Sequence, residues 1–392
     1  MTPEGWSRST VSGVCRLQNG HGFKPTEWSD DGYPIIRIQN LNGNRRFHYY
    51  AGEAEEDWLV HSGQLLFAWA GTKGVSFGPT TWDGETGVLN QHIFRVHPLP
   101  GVDRAWLEMA LRHVTDRIEA KAHGFKATLV HVRKSEIDTY EILVPTLAEQ
   151  KRIAEILSTW DRAIEVRRHL LALAKMKNTS LMQKALSPLR LAEWPKGRIA
   201  DISTRVTERN SSRDLDVLMI ASGTGFIRQD DKYSRFMAGK SVESYTLLRR
   251  GEFAYNKGNS KKFQFGCIFP LETHEEALVP NVYVCFRLKS GFSWRFYKQL
   301  FDSNYLHRQL GRLVNTGVRN NGLLNITAEQ FLGVTIPVPP SDEQDAIAEV
   351  MTAASNLVET LEADVYALQK EKSALMQQLL TGKRRVKLDA AA

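Results

Sequence analysis

Two stretches place their apolar residues on an alternating four-and-three spacing, which is the signature of one helix face. The first track runs Ile153, Leu157, Trp160, Ile164, Leu171, Ala174, Leu181 and Ala185, interrupted by Arg167 and Asn178. The second runs Ile347, Met351, Ala354, Val358, Leu361, Val365, Leu368, Leu375 and Leu379, with one break at Lys372. Thr146-x-x-Glu149 and Ser341-x-x-Gln344 both fit a capping box and mark the helix starts. Ser187-Pro188 and Gly382 mark the ends. From Ser341 to Thr381 the second helix spans roughly 60 Å at 1.5 Å per residue. So narrow an apolar seam on so long a helix has to be buried against another helix.

The two tracks are copies of one sequence. VPTLAEQKRIAEIL at 144–157 returns as VPPSDEQDAIAEVM at 338–351, an offset of 194 residues without a gap. The offset holds to Leu181-Met182-Gln183 and Leu375-Met376-Gln377. A period this long marks duplicated domains rather than a solenoid.

Before each copy the pattern shortens to strand-like runs separated by Gly, Asn and Asp. Residues 1–143 predict strands at Tyr33–Ile38, Gln64–Trp69, Gln91–Val96 and Glu141–Val144, with a helix at Trp106–Ala122. Residues 191–337 repeat that order in a diverged sequence. Leu248–Tyr255 answers Val60–Phe67, Asn281–Arg287 answers Asn90–Val96, and a helix at Trp294–Leu313 answers the one at Trp106. The expected fold is α+β, with two globular mixed α/β domains separated by two long helices that form an antiparallel coiled coil with pseudo-two-fold symmetry. The boundaries are 1–143 for the first domain, 144–190 for the central helix, 191–337 for the second domain, and 338–392 for the C-terminal helix and tail. A parallel pair would need a connection as long as the helix, which 191–337 could supply; the antiparallel arrangement is preferred.

Composition changes this picture little. At 392 residues, 24% charged and 42% hydrophobic, the chain is ordinary and globular, with room for two or three domains. No apolar run approaches the ~20 residues of a membrane span, and no secretory signal is visible. Cys15, Cys267 and Cys285 are isolated and lack metal-ligand spacing, so reduced thiols in a cytoplasmic protein are expected.

Charge is more informative. The net +7 is a weak pointer to a polyanionic partner. Residues 1–143 carry −2, 144–190 carry +5, 191–337 carry +7 and 338–392 carry −3. The two helix copies thus have opposite sign, as paired helices tend to.

Catalytic signatures are missing. Gly239-Lys240-Ser241 lacks the earlier glycine of a phosphate-binding loop, and Gly223-Thr224-Gly225 is a lone GxG. No Asn-Pro-Pro-aromatic motif, H-E-x-x-H or Cys/His cluster is present, and His21, His48, His61, His92 and His97 match no ligand or triad spacing. Polar loops rich in Arg, Lys, Asn and Gln remain. In the first domain they present Arg37, Gln39, Asn40, Asn42, Asn44, Arg45 and Arg46, then Thr72 and Lys73. In the second they present Lys257, Asn259, Ser260, Lys261 and Lys262, then Arg319, Asn320 and Asn321. Such side chains read base edges and grip phosphates, but composition alone favours simple solvated turns. Asn90-Gln91-His92 lies at a strand edge, where turn or packing roles compete.

The paired EQ-x-x-IA-E helices, each after a globular domain, resemble the specificity subunit of Type I restriction–modification systems. Pro145–Leu186 and Pro339–Gly382 are similar to that family's spacer regions, and Leu379-Leu380-Thr381-Gly382-Lys383 fits its end pattern. In the first domain, Leu65–Trp69, Gly71-Thr72-Lys73-Gly74 and Leu89–Ile93 resemble one lineage of target-recognition domain. The resemblance implies a non-catalytic chain that binds double-stranded DNA at an asymmetric two-part target. Each domain would read one part, and the helices would set the gap. It implies docking of two modification subunits, which bring S-adenosylmethionine, and two restriction subunits, which bring ATP and Mg chemistry. This chain would itself bind no cofactor or metal. The −2 charge of residues 1–143 fits DNA contact only if Arg37, Arg45 and Arg46 are segregated from Glu53, Glu55, Glu56 and Asp57.

Overall fold

The computed structural model describes residues 2–121, 129–210, 214–221, 224–232, 239–258, 263–303, 305–314 and 324–388. The chain divides into two compact units, one formed by 1–168 with 363–392 and the other by 169–362. Each unit holds one globular domain and a stretch of both long helices, Leu147–Ala185 and Ser341–Leu380.

The first domain is built on an antiparallel four-stranded sheet. Its strands lie in the order Cys15–Asn19, Ile93–Pro98, Leu65–Ala68, Gly78–Thr81. Leu65–Ala68 is buried at every position, as a strand covered on both faces must be. The helix Arg104–Lys121 packs Trp106, Leu107, Leu111, Val114 and Ile118 into the core that includes Phe67 and Phe94. A second small sheet pairs Tyr33–Ile36 with Gly87–Leu89 in parallel. Ser7–Thr10 pairs with Glu141–Val144, so the strands that open and close the domain form one ribbon.

The second domain repeats this plan. Its sheet runs Ser203–Val206, Val284–Leu288, Phe253–Asn256, Cys267–Pro270, and Lys196–Arg198 pairs with Thr335–Pro337 as the closing ribbon. Stacked Phe253 and Phe286, 5.2 Å apart, and Tyr255 and Phe331, 4.1 Å apart, fill its core.

Three expectations change in detail. The helix expected over Trp294–Leu313 is two helices, Trp294–Asp302 and His307–Leu313, and Ser303 closes the first by donating its hydroxyl to Leu300 O. Tyr33–Ile36 stops short of Ile38, which opens a one-turn helix, Ile38–Leu41. The second capping box does not form, because the Gln344 side chain turns inward to other partners. The first forms one arm of its box, with Glu149 N–H donating to Thr146 Oγ1, while Glu149 Oε2 accepts the Thr146 hydroxyl in place of the backbone N–H.

Within each unit the long helices run antiparallel. In the first, Asp161 pairs with Lys372 and Arg167 with Asp364, while Ile153, Ala154 and Leu157 pack in one core with Met376, Leu379 and Leu380. In the second, Lys175 pairs with Glu362, while Leu181, Met182 and Ala185 meet Ile347, Ala348 and Met351. Numbering rises on one helix as it falls on the other. Ile153, Leu157, Ile164, Ile347, Met351, Leu361 and Val365 are buried, and Trp160, Leu171, Val358, Leu368 and Leu375 are half-buried. The cross-helix ion pairs are exposed or half-exposed and each adds little; the seam supplies the stability. Truncating Leu157, which is wholly buried, is expected to cost about 2–5 kcal/mol. Leu173→Ala, on an exposed face, should stay within about 0.5 kcal/mol in the same thermal unfolding experiment.

Candidate nucleic-acid interface

The loop after Tyr33–Ile36 is shaped from within. Arg37 is extended, and its N–H donates to Asn40 Oδ1 at 2.9 Å. The Asn40 amide donates to Asn44 O at 2.9 Å and Arg46 O at 3.0 Å, and Asn44 Oδ1 accepts Arg46 N–H. Gly43 reverses the chain at φ +86°, a conformation other residues rarely adopt. Beneath the loop, Ile38, Leu41 and Phe47 pack against Ile36, Val60, Leu66 and Trp82. Asn40 is therefore buried with its amide fully committed, which removes it from the base-reading set. Gln39, Asn42, Asn44, Arg45 and Arg46 are left exposed on a fixed backbone. Arg45 makes a loose contact, 3.7 Å from the exposed Asp83.

Beside this loop lies an aromatic surface that sequence reasoning did not single out. His48 stacks on Trp28 with centroids 4.0 Å apart, and the Arg37 guanidinium lies 5.2 Å from the same ring. His21 stacks on Trp58 at 4.0 Å, with Phe23 at its edge. The available signal was the density of His, Trp and Tyr among the basic residues of 21–58.

The second loop is anchored rather than free. Thr72 N–H donates to Ser76 Oγ, Gly74 N–H to Glu119 Oε1, and Lys73 Nζ to Glu119 O, each at 2.7–2.8 Å. A Cβ on Gly71 would lie 2.9 Å from Phe77 N, so this tight turn has no room for a side chain. Asn90-Gln91-His92 connects the two loops. Asn90 N–H donates to Ile36 O, and the Trp69 indole, just before the second loop's strand, donates to Gln91 O. Gln91 is exposed, and the buried Nδ1 of His92 has no hydrogen-bond partner among the described residues. Trp69 also meets His131 edge-on at 4.8 Å. Next to it an open cleft of about 660 Å³ is lined by Arg117, Lys121 and His131 together with Glu136, Tyr140 and Glu141. Arg117 and Lys121 both lie over the Tyr140 ring.

In the second domain Lys257 follows the strand Phe253–Asn256, and its carbonyl accepts Leu324 N–H at 3.0 Å. It lines a cleft of about 350 Å³ with Arg205, Asn281, Tyr283 and Glu329. Asn259, Ser260, Lys261, Lys262, Arg319, Asn320 and Asn321 lie outside the described residues.

Among the described residues no group of His, Cys, Asp and Glu is arranged to hold a metal ion. Burial pushes the thiols of Cys15 and Cys285 up to about 12 and that of Cys267 up to about 11. None supplies a nucleophilic thiolate near neutral pH. No described helix is long and apolar enough to cross a membrane.

Comparison with known proteins places this geometry. Residues 3–175 match the family model of the Type I restriction modification DNA specificity domain. Two proteins of Methanocaldococcus jannaschii align over almost the full chain. The putative type I restriction enzyme MjaX specificity subunit is 24% identical over 98% of this chain and 95% of its own length. The MjaVIII specificity subunit is 25% identical over 98% and 94%. The EcoBI specificity subunit of Escherichia coli is 28% identical over 40% of this chain and 32% of its own. Among solved structures, the S subunit of a type I restriction–modification system from M. genitalium shares the fold. Its TM-score is 0.59 at 15% identity, covering 97% of this chain and 99% of that one. A chain from a structure of type I R-M complex assembly and conformational transition gives 0.55 at 14%, covering 98% and 100%. Residues 3–175 thus match the DNA specificity domain of Type I restriction–modification systems, and the whole chain is similar in sequence to specificity subunits of such systems and shares the fold of a solved one.

Proposed function

We propose that this chain is the DNA-reading, non-catalytic subunit of a Type I restriction–modification complex in a prokaryotic cytoplasm. Each globular domain reads one part of an asymmetric two-part target. The observation that carries the reading is the duplication itself: one sheet order and one closing ribbon occur twice, with differently composed loops. A shared frame with divergent loops suits two different half-sites. The basic loop 37–46 and the aromatic surface around Trp28 supply phosphate contacts and planar groups in the first domain.

The helices act as the ruler and as the docking surface. A rod of roughly 60 Å covers at most ~18 base pairs at 3.4 Å per step, enough for two short sites and an unread gap. In the second unit Leu170, Leu173 and Met176 lie exposed along one helix, and Val350 and Leu357 along the other. Apolar side chains repeated on a solvent-facing helix mark a partner surface. The partners are two modification subunits, which bring S-adenosylmethionine, and two restriction subunits, which bring ATP and Mg.

Four outcomes test this reading. Arg45→Ala and Arg46→Ala should weaken DNA binding by the assembled complex across all sequences and lower the salt slope by about 1 each. Asn40→Ala should instead act through the fold, costing about 1–3 kcal/mol in thermal unfolding. Inserting four residues between Thr179 and Ser180 should change the unread gap with both half-sites intact, read by mapping methylated adenines. Replacing 191–337 with a relative's domain should change one half-site only, and altered recognition of both would defeat the modular reading.

A further inference from the structure

The repeated Glu-Gln of the two helices sits where separate chain segments meet, with Glu149, Gln150 and Gln344 buried and Glu343 half-buried. In the first unit Glu149 and Gln150 are 3% and 1% exposed. Glu149 Oε2 accepts the Trp6 indole N–H at 3.0 Å, and Oε1 accepts Arg385 Nε at 2.8 Å, with Arg385 Nη2 at 2.7 Å. The Arg385 guanidinium also lies over the Trp6 ring. Gln150 Oε1 accepts Asp103 N–H, at the start of the domain helix, and its amide donates to Pro145 O.

The second unit builds the same joint from different residues. Glu343 Oε2 accepts the Trp194 indole N–H at 3.0 Å and lies 3.6 Å from Arg190 Nη2. Arg190 lies over Trp194. Gln344 accepts Ser293 N–H at 2.9 Å and donates to Pro339 O at 2.8 Å. In both joints the tryptophan opens the domain, and the Glu-Gln begins the helix that follows it. The arginine comes after the end of the other helix.

We infer that these two Glu-Gln pairs fix the attitude of each recognition domain on its helix pair and so make the complex selective for one length of unread gap. This rests on the two-part reading proposed above. A fork of guanidinium on carboxylate, braced by an indole and an amide, holds direction as well as distance. The leverage is large. A domain of this size has a radius of about 18 Å, so tilting it by about 10° at the joint moves its centre by about 3 Å. That is close to one base-pair step. Glu149, Gln150 and their counterparts are positioning residues, and they need touch no base.

The test uses the complex assembled with its methyltransferase partners. Methylation is measured on duplexes with native half-sites and a gap that is native, one base pair shorter or one longer. Glu149→Gln keeps an acceptor for Trp6 but loses the charge held by Arg385. It should lower the native-to-shifted rate ratio about tenfold, with base discrimination inside each half-site unchanged. Glu343 is more exposed, so Glu343→Gln should shift the ratio by only a few-fold. Arg385→Lys, which keeps the charge without the fork, should fall between wild type and Glu149→Gln. An unchanged ratio in assembled Glu149→Gln, or an equal loss of base discrimination, overturns the inference.

A second measurement needs no DNA. Spin labels at Glu85→Cys in the domain and Glu165→Cys on the helix report the spread of distances between them, and the three native thiols are buried. Glu149→Gln should broaden that spread, and an unaltered width overturns the joint. A wild-type complex without any gap preference would defeat the two-part reading, leaving the label distances to decide the joint.

Discussion

Burying a carboxylate is costly unless it is paired and hydrogen-bonded, and Glu149 meets that condition with three segments of chain at once. The indole of Trp6, the hydroxyl of Thr146 and the guanidinium of Arg385 all converge on it. Removing Arg385 would strand the charge in a poorly solvated place, and removing either other donor would leave Oε2 less satisfied. The helix start, the domain start and the tail are therefore held together by one group's need for partners. Gln150 extends the same constraint to the domain helix, because its buried amide has to be satisfied as well. The seam between the helices adds stability but little direction. The polar joint supplies the direction.

The long helices were legible because nothing else places apolar residues on a four-and-three track for so long. The repeat made the duplication legible, and the strands at Leu65–Ala68 and Phe253–Asn256 sit where the pattern put them. What sequence did not reveal was why Glu and Gln recur. Read locally, Gln344 looked like half of a capping box, yet its amide reaches Ser293, distant in sequence. Local motifs cannot anticipate a partner that tertiary folding brings in. The break at Ser303 was hidden for a related reason: the apolar spacing continues through it, while the backbone turns.

The candidate interface was legible as a composition and not as a geometry. Asn40 and Asn42 are the same residue type two positions apart, yet Asn40 is consumed by carbonyls of its own loop and Asn42 faces solvent. Lys73 likewise looks like a phosphate ligand in sequence but is braced against the end of the domain helix. The stacking of Trp28 on His48 could not be read from the aromatic density of 21–58, because its members come from separate segments. Side chains that hold a loop and side chains that the loop presents share one vocabulary, and only the hydrogen bonds separate them.

The ribbons that close each domain have a hereditary consequence. Ser7–Thr10 lies against Glu141–Val144, and Lys196–Arg198 against Thr335–Pro337, so the strands by which the chain enters and leaves each domain are hydrogen-bonded neighbours. A genetic crossover within each of these strand pairs would import an entire globular domain while the backbone ladder at its base is rebuilt from main-chain groups common to all sequences. On the two-part reading proposed above, a lineage carrying this architecture acquires a new address on DNA by recombination, without evolving a new scaffold to hold it.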